Sequence, residues 1–199
     1  MDIRSEKKVR NFHTSWLSVC LPIVLRLLFM AGIKTIQDEQ AVAPNGQPAS
    51  TAKIAGVRIV ELSNVFTRSG WLSEVFRADW AGVEGAPQQI NWVELSPNRV
   101  TDWHRHAQQT DHLVGVGGVI KLALCDGRPD SPTYRATEVI RIGALRPVMV
   151  IIPPGVWHGL RNESGQSAGF LAMVTRLFDH QHPDTSQLAP GDVEIPDIL

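Results

Sequence analysis

With 199 residues, a formal net charge of −1 and charged side chains at 20% of the chain, the sequence holds one sizeable core and has no electrostatic bias toward any partner. It carries no basic stripe, which excludes a dedicated nucleic-acid surface. Its two cysteines, Cys20 and Cys125, lie far apart and form no C-x-x-C pair, which excludes a disulfide framework and fits a reducing compartment.

Taken in chain order, the first feature is Lys7, Lys8 and Arg10 ahead of an apolar stretch from Trp16 to Ala31, the order found in export signals and membrane anchors. Arg26 interrupts the stretch and Pro22 lies in its unbroken part. A spanning helix needs about 20 apolar residues, and a central arginine costs roughly 2.5–3.5 kcal/mol on insertion. The cleavage-like triplet Ala41-Val42-Ala43 is followed by Pro44, a poor residue just after a cleavage site. A start at Met30 would make the upstream residues a tail. The reading is a cytoplasmic protein, with export or anchoring through residues 7–31 as the alternative.

Residues 38–53, rich in short polar residues with two prolines and a glycine, read as a linker. Beyond them come short β-branched and aromatic runs separated by turn residues. Val57–Leu62 and, more loosely, Ile90–Leu95 alternate with period two. Val114–Leu124 is broken by Gly117-Gly118 and suits two strands meeting at a turn. Further strands are expected over 137–142, 148–152 and 169–174, with turns at Asp126-Gly127, Ser131-Pro132 and Pro153-Pro154-Gly155. A helical turn is expected only around Leu72–Ala78. About eight short strands at close spacing predict an all-β sandwich or barrel. The expected boundaries are leader and linker over 1–54, barrel over 55–184 and tail over 185–199.

Two histidine segments carry the chemistry. In Trp103-His104-Arg105-His106, the histidines stand two apart, so on a strand both face one side. Two imidazoles on one face, with a carboxylate from the next strand, suit a divalent metal. The second segment, Pro153-Pro154-Gly155-Val156-Trp157-His158, brings a third histidine off a rigid corner. Together they resemble the two motifs of the cupin superfamily, double-stranded β-helix (jelly-roll) barrels. His104, His106, Asp111 and Gly118 match the first motif with Asp in place of Glu, and Pro153, Gly155, His158 and Asn162 match the second.

A narrower resemblance spans residues 57 to about 184: the chain is similar to the dTDP-4-dehydrorhamnose 3,5-epimerases. That family's D-x-R-G-x-F-x-E is echoed by Gly70 and Glu74. Its Q-x-N element is Gln89 and Asn91, fifteen residues before His104. Its D-x-R-x-x-S-P-T-[FY] stands complete as Asp126, Arg128, Ser131, Pro132, Thr133 and Tyr134, and its I-P-P-G-x-x-H-G as Ile152 to Gly159. The resemblance implies an RmlC-like barrel, a homodimer, carbohydrate biosynthesis and no cofactor. The implied substrate is a 4-keto-6-deoxy sugar nucleotide. His104 would be the general base, and Glu74, Gln89, Asn91, Arg128 and His158 would bind substrate.

The sequence departs from that family where charge matters. The family's enolate-stabilising lysine falls on Asp111, its tyrosine on Ala172 or Met173, and two arginines on Thr101 and Ser69, the latter beside Arg68. Losing charge-assisted phosphate contacts costs about 1.5–3 kcal/mol each. Asp111 instead completes a metal set of His104, His106, Asp111 and His158. A ligated His104 has no lone pair for base catalysis, so the two roles exclude each other there. Asp111 and His112 are neighbours on a strand, and only one can face the pocket. Three classes therefore stand open: an epimerase or isomerase, a metal-dependent cupin acting on a small carbonyl or carboxylate compound, and a non-catalytic ligand-binding cupin.

Overall fold

In the computed structural model, residues 42–46, 52–80, 85–189, 195 and 198–199 are described. The signal-like segment over 7–31 and most of the linker lie outside them. The chain divides into units over 1–49 and 50–199. In the first, the Gly46 N–H donates to the Ala43 carbonyl at 2.8 Å and closes a turn. Among the described residues no helix is long and apolar enough to cross a membrane.

Among its described residues the second unit holds twelve strands: β1 (Arg58–Glu61), β2 (Asn64–Thr67), β3 (Gly70–Ser73), β4 (Gln89–Leu95), β5 (His104–His106), β6 (Asp111–Val116), β7 (Val119–Asp126), β8 (Thr137–Gly143), β9 (Val148–Ile152), β10 (Val156–Asn162), β11 (Ala168–Val174) and β12 (Thr185–Gln187). They form two five-stranded sheets, β1-β9-β6-β11-β4 and β12-β5-β10-β7-β8, and the hairpin β2-β3, all antiparallel. This is the all-β jelly roll that the histidine motifs imply. The helical turn expected around Leu72–Ala78 is absent, since β3 runs to Ser73 and an irregular segment follows.

Alternation explains why β9 reads as an unbroken apolar run. Val148, Val150 and Ile152 join the core with Leu113, Leu122 and Phe170. Met149 and Ile151 face the other way, onto Leu62, Val114 and Met173. The first sheet is thus covered on both faces. Burying each Leu, Val or Ile side chain contributes about 1.5–3 kcal/mol, which makes this register hard to shift. Gly117 and Gly118 take φ of 71° and 53° at the β6–β7 turn, a left-handed pair that lets the hairpin follow the strand twist.

Around the Pro153-Pro154-Gly155 corner, Gly155 has φ 83°, and an added Cβ would lie 2.6 Å from Arg128 Cγ. Arg128 in turn is fixed by buried Asp126, through Nε at 2.8 Å, and donates to the Ala55 carbonyl at 2.6 Å. Ser131 and Thr133 hydroxyls donate to Asp126 at 2.6 and 2.7 Å. The D-x-R-x-x-S-P-T block is therefore a knot that ties the chain's approach to β1 onto the corner before β10.

The expected barrel limits of 55 and 184 differ from the structure at both ends. Ile54 is already in the core. Thr185–Gln187 pairs with β5 in the register Thr185↔His106 and Gln187↔His104. Without β12, strand β5 would present an open edge. Its Pro- and Asp-rich surroundings hid it from periodicity.

Burial alone would raise the Asp126 carboxyl, but hydrogen bonds from Arg128, Ser131 and Thr133 outweigh it and hold the group well below the usual carboxylate range. The resulting stability is present at neutral pH and is lost as pH falls through the folded-state value. Asp126→Ala should therefore cost about 3–5 kcal/mol, because it strands a partly buried guanidinium. Urea denaturation at neutral pH measures this, and the deficit should shrink in acid.

Candidate active site

Strand alternation assembles the site. On β6, Asp111 shares its side with core residue Leu113 and lines a cavity of about 350 Å³. His112 points the other way, where its Nδ1–H donates to the Met173 carbonyl at 3.2 Å and its ring meets Phe76 edge-on at 6.0 Å. The choice between these neighbours is thus settled for Asp111. Alternation likewise sends Gln89, Asn91 and Val93 inward from β4, and Phe170, Ala172 and Val174 inward from β11.

The histidines arrive from the second sheet. His104 on β5 lies opposite His158 on β10, and their ring centroids are 4.1 Å apart. The Nδ1–H of His104 donates to the Asp102 carbonyl at 3.0 Å, and that of His158 to the Val156 carbonyl at 3.1 Å. Both bonds fix the tautomer and leave Nε2 as the reactive nitrogen. His106, two residues along, has Nδ1 3.3 Å from the Thr185 hydroxyl. Its Nε2 lies 3.3 Å from Asp111 Oδ2, and His158 Nε2 lies 3.1 Å from the same oxygen. Gln109 donates to the other oxygen, Oδ1, at 2.7 Å. One ligand atom from each of His104, His106, Asp111 and His158 lies within 4.8 Å of all the others.

Electrostatics follow from burial. Desolvation, and then the neighbouring His158, lower His104 to about 4, so it is a neutral imidazole at physiological pH. Burial alone would raise Asp111, but its contacts with His106 and His158 outweigh that and hold it well below the usual carboxylate range. Among the described residues no lysine or arginine lines the cavity.

Of the residues expected from sequence, His104, His106, Asp111, His158, Gln89 and Asn91 meet in this cavity. Glu74 does not: it pairs with Arg77 at 3.3 Å and lies beside Leu62 and Trp80 in a separate cleft. Arg128 is spent on Asp126 and Ala55, away from the cavity. The tyrosine position that fell on Ala172 or Met173 resolves to Ala172, since Met173 packs in the outer apolar layer. Thr101 lines the cavity and accepts the Leu160 N–H at 3.0 Å. Sequence reading missed Gln109, Phe178 and Thr185. Only Gln109, two residues before Asp111, carried a signal there.

Comparison with known proteins agrees with this architecture. The family model for dTDP-4-dehydrorhamnose 3,5-epimerase matches residues 51–196. The chain belongs to the dTDP-4-dehydrorhamnose 3,5-epimerase family. It is 32% identical over 136 residues to the probable low-salt glycan biosynthesis epimerase Agl13 of Haloferax volcanii, covering 68% of this chain and 87% of that protein. It is 28% identical over 141 residues to the spore coat polysaccharide biosynthesis protein SpsL of Bacillus subtilis, covering 71% and 92%. The crystal structure of a dTDP sugar isomerase from Desulfovibrio desulfuricans G20 superposes with a TM-score of 0.67 at 24% identity, over 72% of this chain and 90% of that one. Membership of the epimerase family makes this chain a sugar-nucleotide epimerase, on a cavity whose charged residues differ from the family's pattern.

One wall of the cavity is a strap. Phe178 lines it and donates its N–H to Gln89 Oε1 at 3.0 Å. Further on, Asp184 accepts the Gln108 and Gln109 amides at 3.1 and 2.9 Å. Asp184→Ala should cost about 1 kcal/mol, since two backbone donors lose a charged acceptor in a part-exposed setting. Hydrogen exchange should quicken over 107–109 and 176–187 while the core strands stay protected.

Proposed function

We propose that the chain epimerises a 4-keto-6-deoxy sugar nucleotide by proton removal next to the ketone, with His104 as general base. The observation that carries this is the anchoring of His104: its Nδ1–H is committed to Asp102, and its Nε2 is held neutral in a cavity shared with His158. The C–H electron pair moves into a carbon–carbon double bond as the carbonyl π pair moves onto oxygen, and the proton passes to Nε2. Ala172 leaves the wall where the family's tyrosine would stand without a donor, so the returning proton comes from solvent. Gln89 and Asn91, hydrogen-bonded to each other at 3.0 Å, are the polar contacts for substrate on the β4 wall.

The reading places the protein in the cytoplasm with its nucleotide-linked substrate, which suits a buried free Cys125. A second reading, a divalent metal in the histidine–aspartate cluster, is favoured by the convergence of four donor atoms. If all four bound the ion, His104 would lose the lone pair that the epimerase reading needs.

His104→Ala should lower solvent deuterium incorporation beside the ketone of a 4-keto-6-deoxy sugar nucleotide by about 10²–10⁴-fold, without lowering the melting temperature by more than a few degrees. Proton NMR of the substrate reads this. Equal exchange in wild type and variant would remove His104 from the role.

The same reading includes a homodimer. Edge strand β4 exposes Ile90 at 61% and Trp92 at 60%, and hairpin β2–β3 exposes Phe66 at 88%. Apolar side chains along an open edge are normally covered, and a second copy supplies a matching edge by two-fold symmetry. Light scattering at micromolar concentration should give twice the chain mass, and Trp92→Lys with Phe66→Glu should return it to monomer.

A further inference from the structure

We propose that the outer face of the second sheet is a docking surface for an acidic peptide segment with an apolar tip, and that its occupant is the chain's own tail, held there through Leu199. Nothing in this depends on the epimerase reading.

Alternation defines the face. On β10, Val156 and Leu160 enter the core and His158 the cavity, so Trp157, Gly159 and Arg161 point the other way. On β7, Ile120, Leu122 and Leu124 enter the core and leave Lys121 and Ala123 facing outward. On β8, Ile140 and Ile142 do the same for Val139 and Arg141. Strand register then sorts these outward residues into rows across the sheet. Arg161, Lys121 and Arg141 form one row, and Gly159, Ala123 and Val139 the next.

The first row is electrostatically incomplete. Cross-strand neighbours on one face have Cβ atoms about 4.5–5.5 Å apart, and like charges placed so repel. Glu163 pairs with Arg141 at 2.8 Å. Among the described residues no carboxylate lies within 4.0 Å of Arg161 or Lys121, although both are half-buried. Three cations side by side with one anion attract negative charge from elsewhere.

The second row is a notch, and it is filled. Gly159 lies within β10 and has no positive φ, so its missing side chain serves space rather than backbone conformation. A Cβ built there would stand 2.8 Å from Leu199 Cδ2 and 3.2 Å from Cδ1. The Leu199 side chain therefore takes the place that a side chain at 159 would need. Ala123, opposite Gly159, is 0% exposed although it faces away from the core, which a bare sheet face would not give.

Charge and connectivity select the tail as occupant. Residues 188–199 carry Asp192, Glu194 and Asp197 and no lysine or arginine, the complement of the cation row. The Leu188 N–H donates to the Trp103 carbonyl at 2.9 Å, just ahead of β5, and β5 pairs with β10. The two anchors thus lie at neighbouring strands, well inside the reach of the chain between them at about 3.3–3.6 Å per residue.

The test places cysteines at both sides of the contact in the full chain, Gly159→Cys with Leu199→Cys. The second change vacates the room that the first needs. Mild oxidation and peptide mapping should give a disulfide between positions 159 and 199 in a species of single-chain mass. Raising sodium chloride from about 0.05 to 1 M should slow its formation by about 3–10-fold, because screening removes the attraction. Arg161→Glu with Lys121→Glu, added to the same chain, should slow it as much at low salt. The salt series needs no such variant and decides the matter if that one fails to fold. Absence of the disulfide overturns the docking. A disulfide joining two chains overturns the chain's own tail as occupant. Formation at one rate across the salt series overturns the charge pairing.

Discussion

Strand β6 is hydrogen-bonded along both edges, to β9 and to β11, and this double pairing fixes which of its side chains reach the cavity. Leu113 must enter the core and Val114 the outer apolar layer. Their alternation carries Asp111 inward and His112 outward. A slip of one residue would exchange every side chain between faces, setting a carboxylate against Phe76 and Met173. An unpaired charge there would cost several kcal/mol. The same hydrophobic alternation that builds the sheet thus decides the charge at the centre of the site.

Once Asp111 is inside, the second sheet has to accommodate it. Strands β5 and β10 deliver three imidazoles, and β12 closes the free edge of β5 with Thr185 beside His106. Backbone carbonyls of Asp102 and Val156 take one nitrogen from His104 and from His158, so the opposite nitrogens are aimed by the main chain. The aim depends little on side-chain freedom. It depends on the corner at Gly155, which is held by Arg128 and, through it, by Asp126. The D-x-R-x-x-S-P-T block thus clamps the corner before β10 to the chain's approach to β1.

Much of this was legible in the sequence, for physical reasons that also explain the gaps. Residues 148–152 and the Gly117-Gly118 turn were readable because apolar runs and left-handed glycines have few other uses. His104, His106, Asp111 and His158 were readable because their spacing matches two strands meeting over a pocket, and they do meet. Glu74 and Arg128 lie outside this cavity, and a motif does not record which partner a residue meets: Glu74 pairs with Arg77 and Arg128 with Asp126. Strand β12 and the strap from 176 onward are polar and short, with no period to read. Their order comes from partners far away in sequence, such as Gln89 and the amides of Gln108 and Gln109.

Two of the departures from the family's pattern, Thr101 and Asp111, fall at positions outside the barrel's apolar core. Thr101, Asp111 and Ala172 all line the cavity; Thr101 and Asp111 lie outside the core's apolar set, whereas Ala172 packs against it. At 101 and 111, replacing a long cation removes charge from the cavity wall without touching the packing between the sheets. The exchange is not free, however. A buried carboxylate at 111 needs compensating partners, and among the described residues no lysine or arginine lines the cavity. Asp111 meets Gln109, His106 and His158 at 2.7, 3.3 and 3.1 Å. The contacts with the two histidines hold the Asp111 carboxyl well below the usual carboxylate range, beside a His104 that burial keeps neutral. A carboxylate held by two imidazoles and an amide thus stands in the cavity in place of a fixed side-chain cation.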